Sequence, residues 1–224
     1  MSVSVQIKVN PQLYLRDPQD TKLGKKLIQH SIELINEIGI EDFTFKKLAI
    51  RMGSTEASVY RYFVNKHLLL VYLVSWYWEW VDFRIGFNTM NITDPEKQLK
   101  IAVKTLVDTI RLTIPAEYVD RDLLHQIVVN EGVKSYHIHQ VDEENKLGYF
   151  SPYKELNKKI SNIIKAINPD FPYPCTLATN MLEMSSNQLY LAEHLPSLTD
   201  VKLVDGELDD LEQMLEYFVF KMIK

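Results

Sequence analysis

The chain has 224 residues, 46% of them hydrophobic and only seven of them glycine, enough to close a large core in one or two domains and in keeping with packed helices. Its single cysteine, Cys175, excludes an intramolecular disulfide, and no apolar run reaches the ~18 residues that a membrane-spanning helix needs. The net charge of −5 excludes a uniformly basic nucleic-acid binder, yet it is divided: residues 1–66 hold ten Lys or Arg against seven Asp or Glu (+3), and residues 67–224 hold fifteen against twenty-three (−8).

Residues 1–20 form an N-terminal extension. Val3, Val5, Ile7 and Val9 alternate with polar residues, unlike the apolar core of a secretion signal, which points to a cytoplasmic protein. This start fits a short strand, an arm or disorder, and Pro11 and Pro18 interrupt any helix. The first helix is expected from about Thr21 to Ile38, with Leu27, Ile28, Ser31, Leu34, Ile35 and Ile38 inward and Gly39 ending it. Two short helices follow around Gly53. A long helix runs from near Asn65 to about Phe87, with Tyr72, Trp76, Trp80, Phe83 and Phe87 on one face. Leu68 to Trp78 is its most apolar part, interrupted by Glu79 and Asp82. Asn88 to Pro95 is a linker; Asp94 caps and Pro95 opens a helix to about Ile114, with Leu99, Val103, Leu106 and Ile110 apolar, and Pro115 breaks it. Further helices are expected over Tyr118 to Val133 or beyond, Tyr153 to Ile167, Cys175 to His194 and Gly206 to Ile223, with a loop from Asn145 to Pro152. The fold class is all-α, with about nine helices.

Phe43 to Phe63 carries the chemistry. Thr44 is a good N-cap, and Phe45, Leu48, Ala49 and Met52 recur as one buried stripe. Lys46, Lys47, Ile50 and Arg51 are left outside. Gly53 stands where the helix must end in a left-handed residue, and Ser54 or Thr55 caps the next helix. Val59 and Phe63 pack that helix inward, while Tyr60 and Tyr62 are expected to point outward. A short helix, a tight turn and a second short helix form the unit that places one helix in the DNA major groove. Any helical hairpin would share this pattern alone.

The run Val59-Tyr60-Arg61-Tyr62-Phe63-Val64-Asn65-Lys66-His67-Leu68-Leu69 adds more. It closely resembles the TetR family of one-component transcriptional regulators, in which an aromatic-rich end of the recognition helix is followed by a lysine that opens the next, long helix. Ile32 to Gly39 and Phe43-Thr44 match the family's first helix and its turn, so the resemblance covers roughly residues 22–75. It implies a three-helix DNA-binding domain over residues 21–66 and a helical effector-binding and dimerisation domain over 67–224. It assigns phosphate or base-edge contact to Thr44, Lys46, Thr55, Ser58, Tyr60 and Lys66. Thr55, Glu56, Ala57 and Ser58 open the recognition helix and are the expected base readers. Glu56 departs from the family, where a basic or polar residue is common.

The function so implied is a homodimeric repressor that binds near-palindromic double-stranded DNA and leaves it when a small apolar or aromatic effector binds. The rival is a protein of the same fold controlled by a protein partner; a helical enzyme or carrier is a third reading. Pocket candidates are Trp76, Trp80, Phe83, Leu106, Tyr118, His125 and Tyr136, aromatic walls with a few polar tips, though an ordinary core needs the same residues. The dimer is expected on Leu177, Met181, Met184 and Leu191 of one late helix and Leu208, Leu211, Leu215, Phe218 and Met222 of the last. The long fourth helix is expected to swing about the linker near Asn88. No phosphate loop, nucleophile elbow or paired catalytic carboxylates occur, so neither an enzyme nor a cofactor is expected. His137-x-His139 with Asp142, Glu143 and Glu144 is read as solvated surface, not as a metal site, because i and i+2 diverge on a helix.

Overall fold

A computed structural model of the chain describes residues 7–110, 118–204 and 206–224. Among them there are ten α-helices and no strand: α1 (Lys22–Asp42), α2 (Phe45–Met52), α3 (Glu56–Tyr60), α4 (Lys66–Asn88), α5 (Pro95–Ile110), α6 (Arg121–Glu131), α7 (Val141–Lys146), α8 (Ser151–Ile167), α9 (Pro174–His194) and α10 (Asp209–Ile223). The all-α class expected from the pattern is the one observed. The added helix is α7: α6 stops at Glu131, a 3₁₀ turn covers Gly132–Ser135, and the chain rewinds at Val141. The expected break at Pro115 lies outside the described residues.

Residues 7–20 of the N-terminal extension hold no strand, and Val3 and Val5 of its alternating start lie outside the described residues. Asn10 and Asp17 each accept a backbone N–H two residues on, at 2.9 and 2.8 Å, and each precedes a proline that opens a 3₁₀ turn, Pro11–Leu13 and Pro18–Asp20. Leu13 is fully buried. Pro18 lies so close to α1 that a Cβ on Gly24 would come within 2.3 Å of the Pro18 carbonyl oxygen.

The chain divides into two compact units, residues 1–80 with 112–152 and residues 81–111 with 153–224. In the first, Leu27, Ile28, Ile32 and Ile35 of α1 join Leu48, Val59, Phe63, Leu69 and Tyr72 as a core with essentially no exposed surface. Every residue of α4 from Leu69 to Trp78 is buried, so this stretch is apolar all round and lacks the one-sided stripe of a surface helix. In the second unit Leu99, Val103 and Leu106 of α5, Leu156, Ile160 and Ile164 of α8, Leu177, Ala178, Met181 and Leu182 of α9, and Leu211, Leu215 and Val219 of α10 form the core. Asn168 Nδ2 donates to Ile223 O at 2.7 Å and ties the end of α8 to the end of α10.

Candidate DNA-binding surface and effector site

The α2–turn–α3 element is built by local chemistry. Thr44 Oγ1 accepts from Lys47 N at 3.2 Å and caps α2. Gly53 adopts φ 62° and ψ 40°, and its N–H and that of Ser54 return to Ile50 O and Ala49 O at 3.1 and 2.9 Å. A Cβ there would add the strain of a left-handed residue. Lys26 Nζ donates to Met52 O at 2.8 Å, a cation on the carbonyl end of α2. Thr55 Oγ1 accepts from Ser58 N at 3.3 Å and caps α3. Phe45 meets the Tyr60 ring edge-on at 5.0 Å and sets the packing of α3 on α2.

On this element Thr44, Lys46, Thr55, Glu56, Ala57 and Tyr60 are exposed. The remaining two expected contacts are engaged elsewhere. The Ser58 hydroxyl donates to Thr55 O at 2.5 Å and lies 2.7 Å from Ser54 Oγ. Lys66 Nζ donates to Ile40 O and Glu41 O, both at 2.8 Å. Arg51 is bound to Glu37 at 2.6 and 2.7 Å and to Glu33 at 3.2 Å; its hydrogen bond holds the Glu37 carboxyl below the usual range. Tyr62, expected outward, is 2% exposed. The N-terminal segment covers it: Leu15 N donates to Tyr62 O at 2.8 Å, Arg16 lies 5.9 Å above the ring, and the phenol meets Thr21 Oγ1 at 2.7 Å.

The kink at Gly39, in the last turns of α1, is fastened from two sides. Gly39, at φ 72° and ψ 162°, breaks the helix where the sequence placed its end. Beyond it, Ile40 N donates to Glu131 Oε1 of α6 at 3.1 Å. Lys134 bridges Glu131 at 2.8 Å and Glu41 at 3.2 Å. Lys66 holds the same kink from α4. Asn36 Nδ2 of α1 donates to Leu123 O of α6 at 2.8 Å.

The expected pocket residues do not all meet. Trp76 and Trp80 are buried and stack at 6.3 Å with their planes 19° apart. Arg121, itself buried, stands 3.9 Å over the Trp80 ring. His125, one turn later on α6, is 3% exposed and packs 5.7 Å from the Tyr77 ring; burial depresses its pKa to about 4. Trp76 Nε1 is buried and has no hydrogen-bond partner among the described residues. Tyr118 donates to Gln19 Oε1 at 2.9 Å and faces Lys25 at 5.3 Å. Tyr136 packs on His137 and Phe150. Leu106 is buried in the second unit, whereas Phe83, 41% exposed, stacks on the still more exposed Phe87 at 6.3 Å; beyond Trp80 the buried side of α4 is carried by Val81 and Ile85. Arg121 went unnoticed in the sequence reading. Its signal was the Arg121–His125 spacing of i and i+4, on a helix that Asp120 caps with its side chain.

On α9 and α10, Leu177, Met181, Leu208, Leu211 and Leu215 are buried, while Phe218 and Met222 are exposed. A surface groove of about 330 Å³ is lined by Phe171, Tyr173, Thr176, Leu177, Asn180 and Met222.

Residues 27–73 match the family described as "Bacterial regulatory proteins, tetR family". The resemblance carried by Val59 to Leu69 is thereby borne out, and the N-terminal element is a TetR-family helix-turn-helix. No curated protein sequence matches the chain. Among solved structures the chain is similar to AibR, described as a complex with isovaleryl coenzyme A and operator DNA, at 15% identity over 88% of this chain and 97% of that one, with a TM-score of 0.59. It is similar to the superantigen PfiT at 11% identity, covering 88% and 93%, with a TM-score of 0.58. It is also similar to the fatty acid degradation regulator FadR from Bacillus halodurans at 15% identity, covering 88% and 93%, with a TM-score of 0.60. At these identities the likeness is one of fold, and function rests on the site.

Proposed function

We propose that this chain, with its TetR-family reader, is a cytoplasmic homodimeric repressor that binds a near-palindromic operator and leaves it when a small organic effector binds. The observation that supports this most is the exposed row Thr44, Lys46, Thr55, Glu56, Ala57 and Tyr60 on a capped α2–turn–α3 element. Lys46 supplies sequence-independent attraction to phosphate, and the start of α3 faces base edges. Residues 21–66 act as the reader and 67–224 as the effector-binding and dimerisation body, whose surplus of negative charge repels DNA and favours approach by the basic end.

The effector reading draws on Trp76, Trp80 and Arg121. Two stacked indoles suit an apolar or aromatic body, and the buried Trp76 N–H suits an acceptor on the ligand, since an unmade buried hydrogen bond costs about 1–3 kcal/mol. A ligand releases DNA only by binding the other conformation better. A coupling of ~1–3 kcal/mol lowers operator affinity roughly 5–150-fold. The hydrogen bonds that Leu123 O and Glu131 of α6 accept from Asn36 and Ile40 of α1 give that signal a route, alongside the swing of α4 near Asn88. AibR, of the same fold, is described with both an acyl coenzyme A and operator DNA, which is the pairing proposed for this chain. Dimerisation through α9 and α10 is supported by exposed Phe218 and by exposed Tyr173 and Met222, which line the surface groove.

Genome-wide mapping of bound DNA, followed by mobility shifts on the recovered sites with candidate compounds, tests the reading. Discrete near-palindromic sites whose affinity a compound lowers are expected. Sites that bind tightly yet respond only to a second protein would favour the protein-controlled rival, and absence of discrete sites would remove the repressor.

A further inference from the structure

Few side chains of the recognition helix are both exposed and uncommitted. The Ser58 hydroxyl is held between Thr55 O and Ser54 Oγ, and Thr55 Oγ1 turns back to cap the helix. Val59 is fully buried, and Tyr60 rests its ring on Phe45. That leaves Glu56 and Ala57, both exposed, and of the two only Glu56 carries a hydrogen-bonding group. Its carboxylate has no hydrogen bond or ion pair among the described residues.

Resting on the DNA-reading assignment above, we propose that Glu56 sets the operator sequence: its carboxylate accepts a hydrogen bond from the N4 amine of a cytosine in each half-site. The chemistry of base edges singles out that base. In the major groove guanine presents the acceptors N7 and O6, thymine presents the acceptor O4, and adenine sets its N6 amine beside the acceptor N7. Cytosine alone offers an amine with no acceptor on the same base edge. A carboxylate, which only accepts, is therefore matched by cytosine and opposed by the other three. It is also repelled by phosphate wherever no amine compensates it. Glu56 thus selects by exclusion as much as by attraction, while exposed Lys46 and Arg61 attract every sequence alike.

Selection of duplexes from a randomised pool by the purified protein, its Glu56→Gln variant and its Glu56→Ala variant reads this directly. Circular dichroism checks that each keeps its helices; Glu56 is exposed, so neither change removes a buried contact. The wild type is expected to enrich one cytosine at a fixed place in each half-site. Glu56→Ala loses a preference of about tenfold at that place and binds unselected duplex more tightly. Glu56→Gln, whose amide both donates and accepts, moves the preference towards adenine. A Glu56→Ala preference identical to the wild type's overturns the role of Glu56 and leaves DNA reading intact. A folded wild type that enriches no sequence overturns DNA reading itself, and this inference with it.

Discussion

Lys46 and Lys66 are both proposed phosphate contacts, and their surroundings differ. Lys46 is exposed, whereas Lys66 spends two of its three protons on Ile40 O and Glu41 O. Lys46→Ala should weaken binding to all sequences alike and lower the slope of log affinity against log salt by about 1; an unchanged slope would remove Lys46 from the footprint. Tyr62 is a structural aromatic. Tyr62→Phe deletes its hydrogen bond to Thr21 and should cost about 0.5–1.5 kcal/mol of stability, read from the urea midpoint, with no change in salt slope. What the sequence made legible at this scale was local: the Thr44 cap, the Gly53 turn and the Phe45–Met52 stripe need only neighbours within a turn or two. Tyr62 was expected outward because its partner Thr21 lies 41 residues away, and no periodicity records a contact of that length; the backbone partner of Lys66 at Ile40, 26 residues away, was equally invisible.

The helices as elements were readable wherever the apolar spacing was strong, as in α1, α5, α8 and α9. α7 was not, since its six residues bury nothing and leave no stripe. α4 was legible as a helix but not in its use. Its apolar residues on every side cannot say which face a ligand would meet, and Phe83 turns out to lie at the surface. α6 was placed correctly, but its role as the clamp on the α1 kink at Gly39 could not be seen, because it runs through one carboxylate, Glu131. Glu131→Ala would orphan the buried Ile40 N–H and release Lys134. It should cost about 1–3 kcal/mol in urea unfolding. If α6 carries the effector signal, the same variant should also shrink the effector's influence on operator affinity, measured by mobility shift with and without ligand. Full influence in the variant would leave α4 as the sole route.

For the molecule as a whole, the buried His125 sets a pH limit. Its folded pKa of about 4 lies below the ordinary 6.5, so between those values the unfolded chain binds a proton that the folded one refuses. Stability from this source is intact above pH 6.5 and falls as pH falls towards 4, by at most about 1.4 kcal/mol per pH unit. Urea midpoints at successive pH values should converge for His125→Gln and wild type as acid is added; parallel curves would contradict the depressed pKa. Assembly is the second property at this scale. Sedimentation should find a dimer at micromolar concentration, and the operator should place its half-sites ~34–36 Å apart or a multiple of that. A monomer would leave the exposed Tyr173, Phe218 and Met222 without the partner proposed for them.

The N-terminal segment has one more consequence, in the order of synthesis. It leaves the ribosome ahead of two of its anchors: Gln19 waits for Tyr118 and Asn10 for the carbonyl of Leu147, 99 and 137 residues downstream. The helix-turn-helix itself is complete by Lys66. A nascent chain therefore presents a finished DNA reader whose covering strap is still only partly fastened until Leu147 has been made. Translational pausing before Leu147 would prolong that interval, with the Leu13 side chain and the ring of Tyr62 held only by contacts already synthesised.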